Sequence, residues 1–423
     1  MSYSRRIIDD VLDEVLPGLA AVALEGAKAV GKTATASRRA ATVLSLTDDR
    51  HRASVAENYD LITQLDPPVF VDEWQLEPRV WDRVRQAVDD NPTKGGQFIL
   101  AGSAAVAPNV RIHSGAGRIV SMVLRPMALS ERGIGIPTVS LRALHGGDAE
   151  VTGHTDLAVR DYVDEILRSG FPGIRDLPPT ARDMQLDGYL TRIVQHDMPQ
   201  NGITVRRPAA LRSWLRAYAA ATASTTEYTK ILDAATPGDS DKPAKATVDA
   251  YREHLQRLFI LDPVEAWIPA FAPLKRLTYS PKHNLVDPAL AARLVGVGAR
   301  GLLIGEGDMI SPHTATWLGA LFESLALQSV RVYADAMGAH VGHLRTKSGE
   351  HEVDIVVETS DTRCVALEVK LADTVSDADV THLNWLSEQL GDRLADRVVL
   401  NTGPYAYRRA DGVAVIPLAL LGP

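Results

Sequence analysis

With 423 residues, 45% of them hydrophobic and 23% charged, the chain has the composition of an ordinary soluble globular protein and the length of two or three domains. No apolar run approaches the roughly 20 residues that span a bilayer, and the single cysteine, Cys364, excludes an internal disulfide and a thiolate zinc site. A net charge of −8 gives no general nucleic-acid coat, so contact with DNA or RNA requires a local basic surface.

In chain order, MSYSRRIIDDVLDEVLP reads as a short amphipathic helix. Asp9, Asp10, Asp13 and Glu14 interrupt the apolar core that a secretory signal requires, and a cytoplasmic protein is expected. Strand-like runs follow: AAVAL (20–24), TVLSL (42–46), PVFVDEW (68–74), QFILAGS (97–103) and, as a fifth, GRIVSMVL (117–124). Helical stretches alternate with them, which predicts an α/β domain with a mainly parallel sheet and helices on both faces. A turn-rich break covers about 132–148. Helices then fit DLAVRDYVDEILRSG, MQLDGYLTRIVQHDM and PAALRSWLRAYAAATA, with ATPGDSDKPAK (235–245) a loop by composition. ATVDAYREHLQRLFIL is a further amphipathic helix, and VEAWIP and LKRLTYS are short strand-like pieces. From about 312 the order is helix ATWLGALFESLALQSV, strands HVGHLR, HEVDIVVE and CVALEVKL, helix DADVTHLNWLSEQL and strand RVVLN. The expected division is 1–145, 146–205 (helical lid or linker), 206–305 (helical, winged-helix-like) and 306–423.

Gly26-Ala27-Lys28-Ala29-Val30-Gly31-Lys32-Thr33 matches G-x-x-x-x-G-K-[ST], and it follows a strand and opens a helix, as its mechanism demands. Glycines let backbone N–H groups wrap phosphate oxygens, and the helix start adds partial positive charge. Lys32 is expected at the β/γ-phosphates and the Thr33 hydroxyl on Mg²⁺. The apolar strand PPVFVDEW ends in Asp72, which can hold the metal through water, and Glu73, which can activate the attacking water. ATP and Mg²⁺ are the expected ligands.

On LEGAKAVGKTATA, VFVDEWQ, FILAGS and GRIVSMVLRPMALSE, together with RSGFPGIRD, ATVDAYREHLQRLFILDPVEAW and the final TKSGEHEVDIVVE…VALEVK, nearly the whole chain resembles the prokaryotic AAA-type ATPases fused to a C-terminal domain of unknown function. The resemblance implies a sensor at Ser103, ending the fourth strand, and a nucleotide-reaching arginine at Arg118, with Arg111 and Arg125 as rivals. It also implies a ring, most often a hexamer, in which a neighbour's arginine neutralises charge on the transferred phosphoryl. Ala101 departs from the pattern, since relatives often carry threonine there.

In CVALEVKLA, Val365, Leu367, Val369 and Leu371 fall on one face of a strand, and Ala366, Glu368 and Lys370 on the other. A buried charge must be paired, exposed or metal-linked. Asp354 in HEVDIVVE poses the same problem one strand earlier, and the short link TSDTR suits an antiparallel hairpin that sets it beside Glu368. Two adjacent carboxylates repel unless a divalent cation neutralises them. The element order with D…E-x-K resembles the PD-(D/E)XK nuclease fold. That resemblance implies Mg²⁺ on Asp354 and Glu368, with Lys370 steadying water or phosphate and Glu323 assisting.

RRPAALRSWLR, with Arg206, Arg207, Arg212 and Arg216 and no acid, is a candidate basic surface. The helix from Ala246 adds Arg252 and Arg257 but also Asp249 and Glu253, a mixed face for a groove-binding helix. His340, His343 and His351 receive no role. The leading expectation is an oligomeric ATPase that couples turnover to DNA, without a membrane. The alternatives are a nucleotide-regulated, metal-dependent nuclease and a nucleotide switch that binds a protein partner.

Overall fold

The apolar runs between residues 20 and 101 are joined by helical returns, and strands joined that way pair in parallel. The computed structural model describes residues 3–102, 115–200, 203, 205, 207–236, 244–269, 277, 280–304, 309–347 and 349–423. Its first strands are β1 (Ala21–Glu25), β2 (Thr42–Ser45), β3 (Val69–Asp72), β4 (Phe98–Ala101) and β5 (Ile119–Val123). They lie in the order β2-β3-β4-β1-β5, and every neighbouring pair is parallel. β3 and β4 are buried at every residue, as strands covered on both faces must be. Val69, Val71, Phe98 and Leu100 meet Val80, Trp81 and Val84 of the helix Arg79–Asp90 on one face. Phe70, Ile99 and Ala101 meet Leu12 and Leu16 from the N-terminal segment on the other. Only β4 separates β1 from β3, so both strands end on the same edge, where parallel sheets bind ligands.

Four two-residue strands follow: β6 (Val139–Ser140), β7 (Gly153–His154), β8 (Leu303–Ile304) and β9 (Met309–Ile310). The second sheet contains β10 (His340–Arg345), β11 (Glu352–Glu358), β12 (Cys364–Val369), β13 (Leu394–Asn401), β14 (Tyr405–Arg408) and β15 (Ala414–Pro417). Its order is β10-β11-β12-β13-β15-β14-β7. β11 and β12 are antiparallel, as the short link between them implies. β12 and β13 are parallel across the helix Thr381–Leu390. Strands β14 and β15 lie beyond the last strand expected from sequence. β7 joins this sheet through β14, and β6 pairs with β16 (Leu421–Gly422), so residues 139–154 are stitched to the chain's last strands.

Between the sheets lie the helices Val159–Arg168, Pro179–Arg192, Pro208–Ala220, Tyr228–Ala235, Lys245–Arg257 and Pro288–Val295. The VEAWIP piece contributes only isolated bridges, Val264 to Lys282 and Ala266 to His343. Of LKRLTYS only Leu277 and Ser280 are described, and of ATPGDSDKPAK residues 237–243 lie outside the described residues. The 22-residue helix Ala315–Ala336 backs the second sheet. One hydrophobic core runs from Ala27 and Val30 through the central helices to Val365 and Leu367. No helix among the described residues is long and apolar enough to cross a membrane.

Candidate nucleotide site and a second charged cluster

After β1 the chain must turn sharply into the short helix Lys32–Ser37, and two glycines permit it. Gly26 has φ 144°, and a Cβ there would stand 2.2 Å from the Leu124 carbonyl oxygen. Gly31 has φ 109° at the helix start, a conformation that side-chain-bearing residues rarely adopt. Ala27 and Val30 between them are fully buried, anchoring the loop from beneath.

Lys32 is buried, and its Nζ donates to the carbonyl oxygens of Gly26 at 2.8 Å and Ala27 at 2.9 Å. Burial pushes its ammonium down to about 8, against the opposing pull of the Glu73 and Asp72 carboxylates. The Thr33 hydroxyl lies 3.0 Å from each carboxylate oxygen of Asp72. Burial raises the Asp72 pKa, with the Thr33 hydrogen bond acting the other way. Glu73 follows with φ 53°, strain of about 1–3 kcal/mol of the kind that clusters at functional sites. Its carboxylate accepts from Gln75 Nε2. Lys32, Thr33, Asp72 and Glu73 thus converge from two strand ends. A hydroxyl and a carboxylate side by side are hard oxygen donors that suit Mg²⁺ shared with phosphate.

Ser103 and Arg111 lie outside the described residues. Arg118, at the head of edge strand β5, has 43% of its side chain exposed and donates from Nε to Asp89 at 2.7 Å. Arg125 is committed inside the subunit: it pairs with Asp262 and, at 3.1 Å, with Asp335. That corrects its candidacy as an arginine offered to a neighbour, because both partners come from later elements that the local sequence does not reveal. Sequence reasoning also missed a cavity of about 380 Å³ beside Gly31, Ala34 and Thr35, walled by Tyr3, Arg6, Arg132, Arg168 and Arg175. Its walls come from three distant segments, so no contiguous motif marks it.

The C-terminal carboxylates do meet, but around a lysine. Lys282 Nζ is 2.8 Å from Asp354 Oδ1, 3.0 Å from Glu323 Oε1 and 3.1 Å from Glu352 Oε1. Asp354 Oδ2 accepts from the Val369 amide at 2.9 Å, and Glu368 pairs with Lys370 at 3.0 Å. A bulge aims Asp354: Gly342 pairs with Val356 and Leu344 with Val353, so Asp354 and Ile355 both oppose His343. Lys282 is fully buried, yet the carboxylates around it hold its pKa well above the usual value. Lys282 likewise lowers the Asp354 pKa, while burial and the neighbouring Asp354 raise those of Glu323 and Glu368. Burial and mutual repulsion thus oppose the attraction of Lys282 and Lys370 across the cluster, which titrates as a unit.

The ammonium of Lys282 thus sits among Asp354, Glu323 and Glu352, while Glu368, expected to share a divalent cation with Asp354, is paired with Lys370. Among the described residues no group of three His, Cys, Asp or Glu side chains is placed to hold a metal ion. Lys282 sits 72 residues before Asp354, brought there by its bridge to Val264.

Of the basic candidates, Arg206 lies outside the described residues. Arg252 stacks over Tyr228 at 4.2 Å and pairs with Asp249 at 3.4 Å, so it serves the helical region's own packing. Arg207 and Arg257 are exposed. His343 is buried, with Nε2 3.0 Å from the Ser280 carbonyl oxygen, and His351 stacks on Trp385.

Residues 20–132 match the family model described as an AAA domain. Residues 159–301 match a domain of unknown function (DUF8612), and residues 318–421 match another (DUF4143). The uncharacterized proteins Rv2008c of Mycobacterium tuberculosis and Mb2031c of Mycobacterium bovis are each 25% identical over 365 residues, covering 82% of this chain and 68% of theirs. Among solved structures, the Walker-type ATPase PABY2304 of Pyrococcus abyssi aligns with TM-score 0.38 and 15% identity, covering 68% of this chain and 94% of that one.

Proposed function

We propose that this chain binds ATP with Mg²⁺ at the end of β1 and hydrolyses it, as one subunit of a ring whose turnover is coupled to DNA. The observation that carries the reading is the convergence of Lys32, Thr33, Asp72 and Glu73 beside the phosphate loop, within the AAA-domain match. Lys32 exchanges its two loop carbonyls for the β- and γ-phosphates, where a desolvated ammonium gains most from an anion. Thr33 and Asp72 hold Mg²⁺, which neutralises phosphate charge. Glu73 takes the proton of the attacking water as the bond from the γ-phosphorus to the bridging oxygen breaks, leaving ADP and phosphate. The cavity beside Ala34 and Thr35 takes the nucleoside.

Arg118, partly exposed at the head of edge strand β5 where it pairs with Asp89, is assigned the role of the arginine offered to a neighbouring subunit. The DNA element rests on exposed Arg207 and Arg257. The test is phosphate release by purified protein, alone and with duplex, single-stranded and branched DNA. Lys32→Ala and Glu73→Gln are expected to abolish release, with Glu73→Gln still binding nucleotide. Turnover that persists in both variants overturns the ATPase reading. Unchanged turnover together with no DNA binding removes the DNA element alone.

A further inference from the structure

The third residue of the phosphate loop, Lys28, is gripped from outside the sheet. Its Nζ is 2.6 Å from Asp197 Oδ1, and its carbonyl oxygen accepts from the Tyr189 hydroxyl at 3.2 Å. Both partners belong to one continuous rod, the helix Pro179–Arg192 and the π-helical stretch Ile193–Asp197 that extends it. Widened helical turns of this kind are rare and concentrate at functional sites; this one ends on Asp197. The pair is half open to solvent on the lysine side, 45% exposed, and close to buried on the aspartate side, at 11%. The same rod pairs with Arg293 through Asp183 and Asp187. It also packs Leu186, Leu190, Ile193 and Val194 into the core shared with the long C-terminal helix.

We propose that the Lys28–Asp197 ion pair is a tether released by nucleotide: the polyphosphate of a nucleoside triphosphate in the loop draws the Lys28 ammonium off Asp197 and frees the segment 179–200. The inference rests on the ATP-binding reading above. A carboxylate held 2.6 Å from a loop lysine opposes the phosphates in two ways. It occupies a cation they need, and it repels them. A contact that ligand binding breaks is, by linkage, a contact whose removal tightens binding. Because the rod reaches the Arg293 helix and the shared core, its release is how phosphate occupancy would be felt beyond the first sheet.

The test measures binding of a non-hydrolysable ATP analogue with Mg²⁺ to the full-length chain, together with amide hydrogen exchange over 189–197. Asp197→Asn is expected to bind about fivefold tighter, the scale of a partly exposed ion pair. Lys28→Met is expected to bind more weakly, and in that background Asp197→Asn brings no gain. The analogue should speed exchange at 189–197 in the native chain, and Asp197→Asn should show the faster exchange without it. Equal or weaker binding by Asp197→Asn, or the same gain in the Lys28→Met background, overturns the tether. If the native chain binds the analogue and Lys32→Ala does not, such a result removes the tether alone. No binding by the native chain removes the ATP reading with it.

Discussion

Lys32 and Lys282 are two buried lysines near carboxylates, and the protein leaves them in opposite electrostatic states. Lys32 is held by two neutral carbonyls, with its anions at a distance, and burial drives its pKa down to about 8. Lys282 has three carboxylates at bonding distance, and its pKa stands well above the ordinary value. The first is a cation short of anions and gains by receiving a phosphate. The second is already compensated by the carboxylates around it. What a lysine beside acids does depends on that local count of charge more than on the motif around it.

The largest effect is expected at Lys282. Replacing it by methionine strips the counter-charge from buried carboxylates, and the C-terminal unfolding transition should lose about 3–5 kcal/mol. Adding Asp354→Asn should recover part of that loss, measured by chemical denaturation. A Lys282→Met chain that unfolds at the native midpoint would erase the contrast between the two lysines.

Next in size, Lys32→Ala should lower phosphate release at least about 100-fold, as for loss of a group that stabilises phosphoryl charge. Its fold should be intact by circular dichroism.

A pH dependence sharpens the contrast further. Because the free Lys32 ammonium titrates near 8 and the bound phosphates favour its charged form, binding above that pH must take up a proton. Nucleotide affinity should therefore fall as pH rises past 8, by up to about tenfold per unit. Calorimetry in buffers of different ionisation enthalpy reads the proton uptake directly. In linkage terms the folded pKa lies below the unfolded value of 10.5. The penalty for burying the charge is therefore present below pH 8, and stability rises between 8 and 10.5. Affinity that is flat across this range would mean Lys32 stays charged unaided.

The smallest effect belongs to Glu352→Gln. This rim carboxylate is 32% exposed and screened by water, so its loss should change stability by about 1 kcal/mol or less. A cost matching that of Lys282→Met would show that the three carboxylates do not differ by depth.

The two regions also differed in how far they could be read beforehand. In the first sheet each expected strand appears within a residue or two of its apolar run, because buried parallel strands are continuous apolar segments bounded by turns. The phosphate loop and the acidic pair are contiguous motifs at strand ends, and Lys32, Thr33, Asp72 and Glu73 were all named from them. In the second sheet the alternation put Val365, Leu367 and Val369 on one face of β12 and Ala366 on the other, and the structure packs the two faces into separate cores. The strands β14 and β15 went unread, β14 being largely exposed and β15 lying beyond it. The bulge at Asp354, the arrival of Lys282 and the capture of Arg125 by Asp262 and Asp335 left no local trace.

By itself, then, the amino-acid order determined the α/β class, the strand ends and the chemical identity of the groups around the phosphate loop, because those depend on local patterning and on residues close in the chain. The tertiary structure alone decided that Lys282 meets Asp354, Glu323 and Glu352, which arginine is spent internally, and that Asp197 reaches Lys28. Those outcomes depend on charges drawn together from segments many tens of residues apart, and electrostatic energy is set by distance in space, to which separation along the chain is no guide.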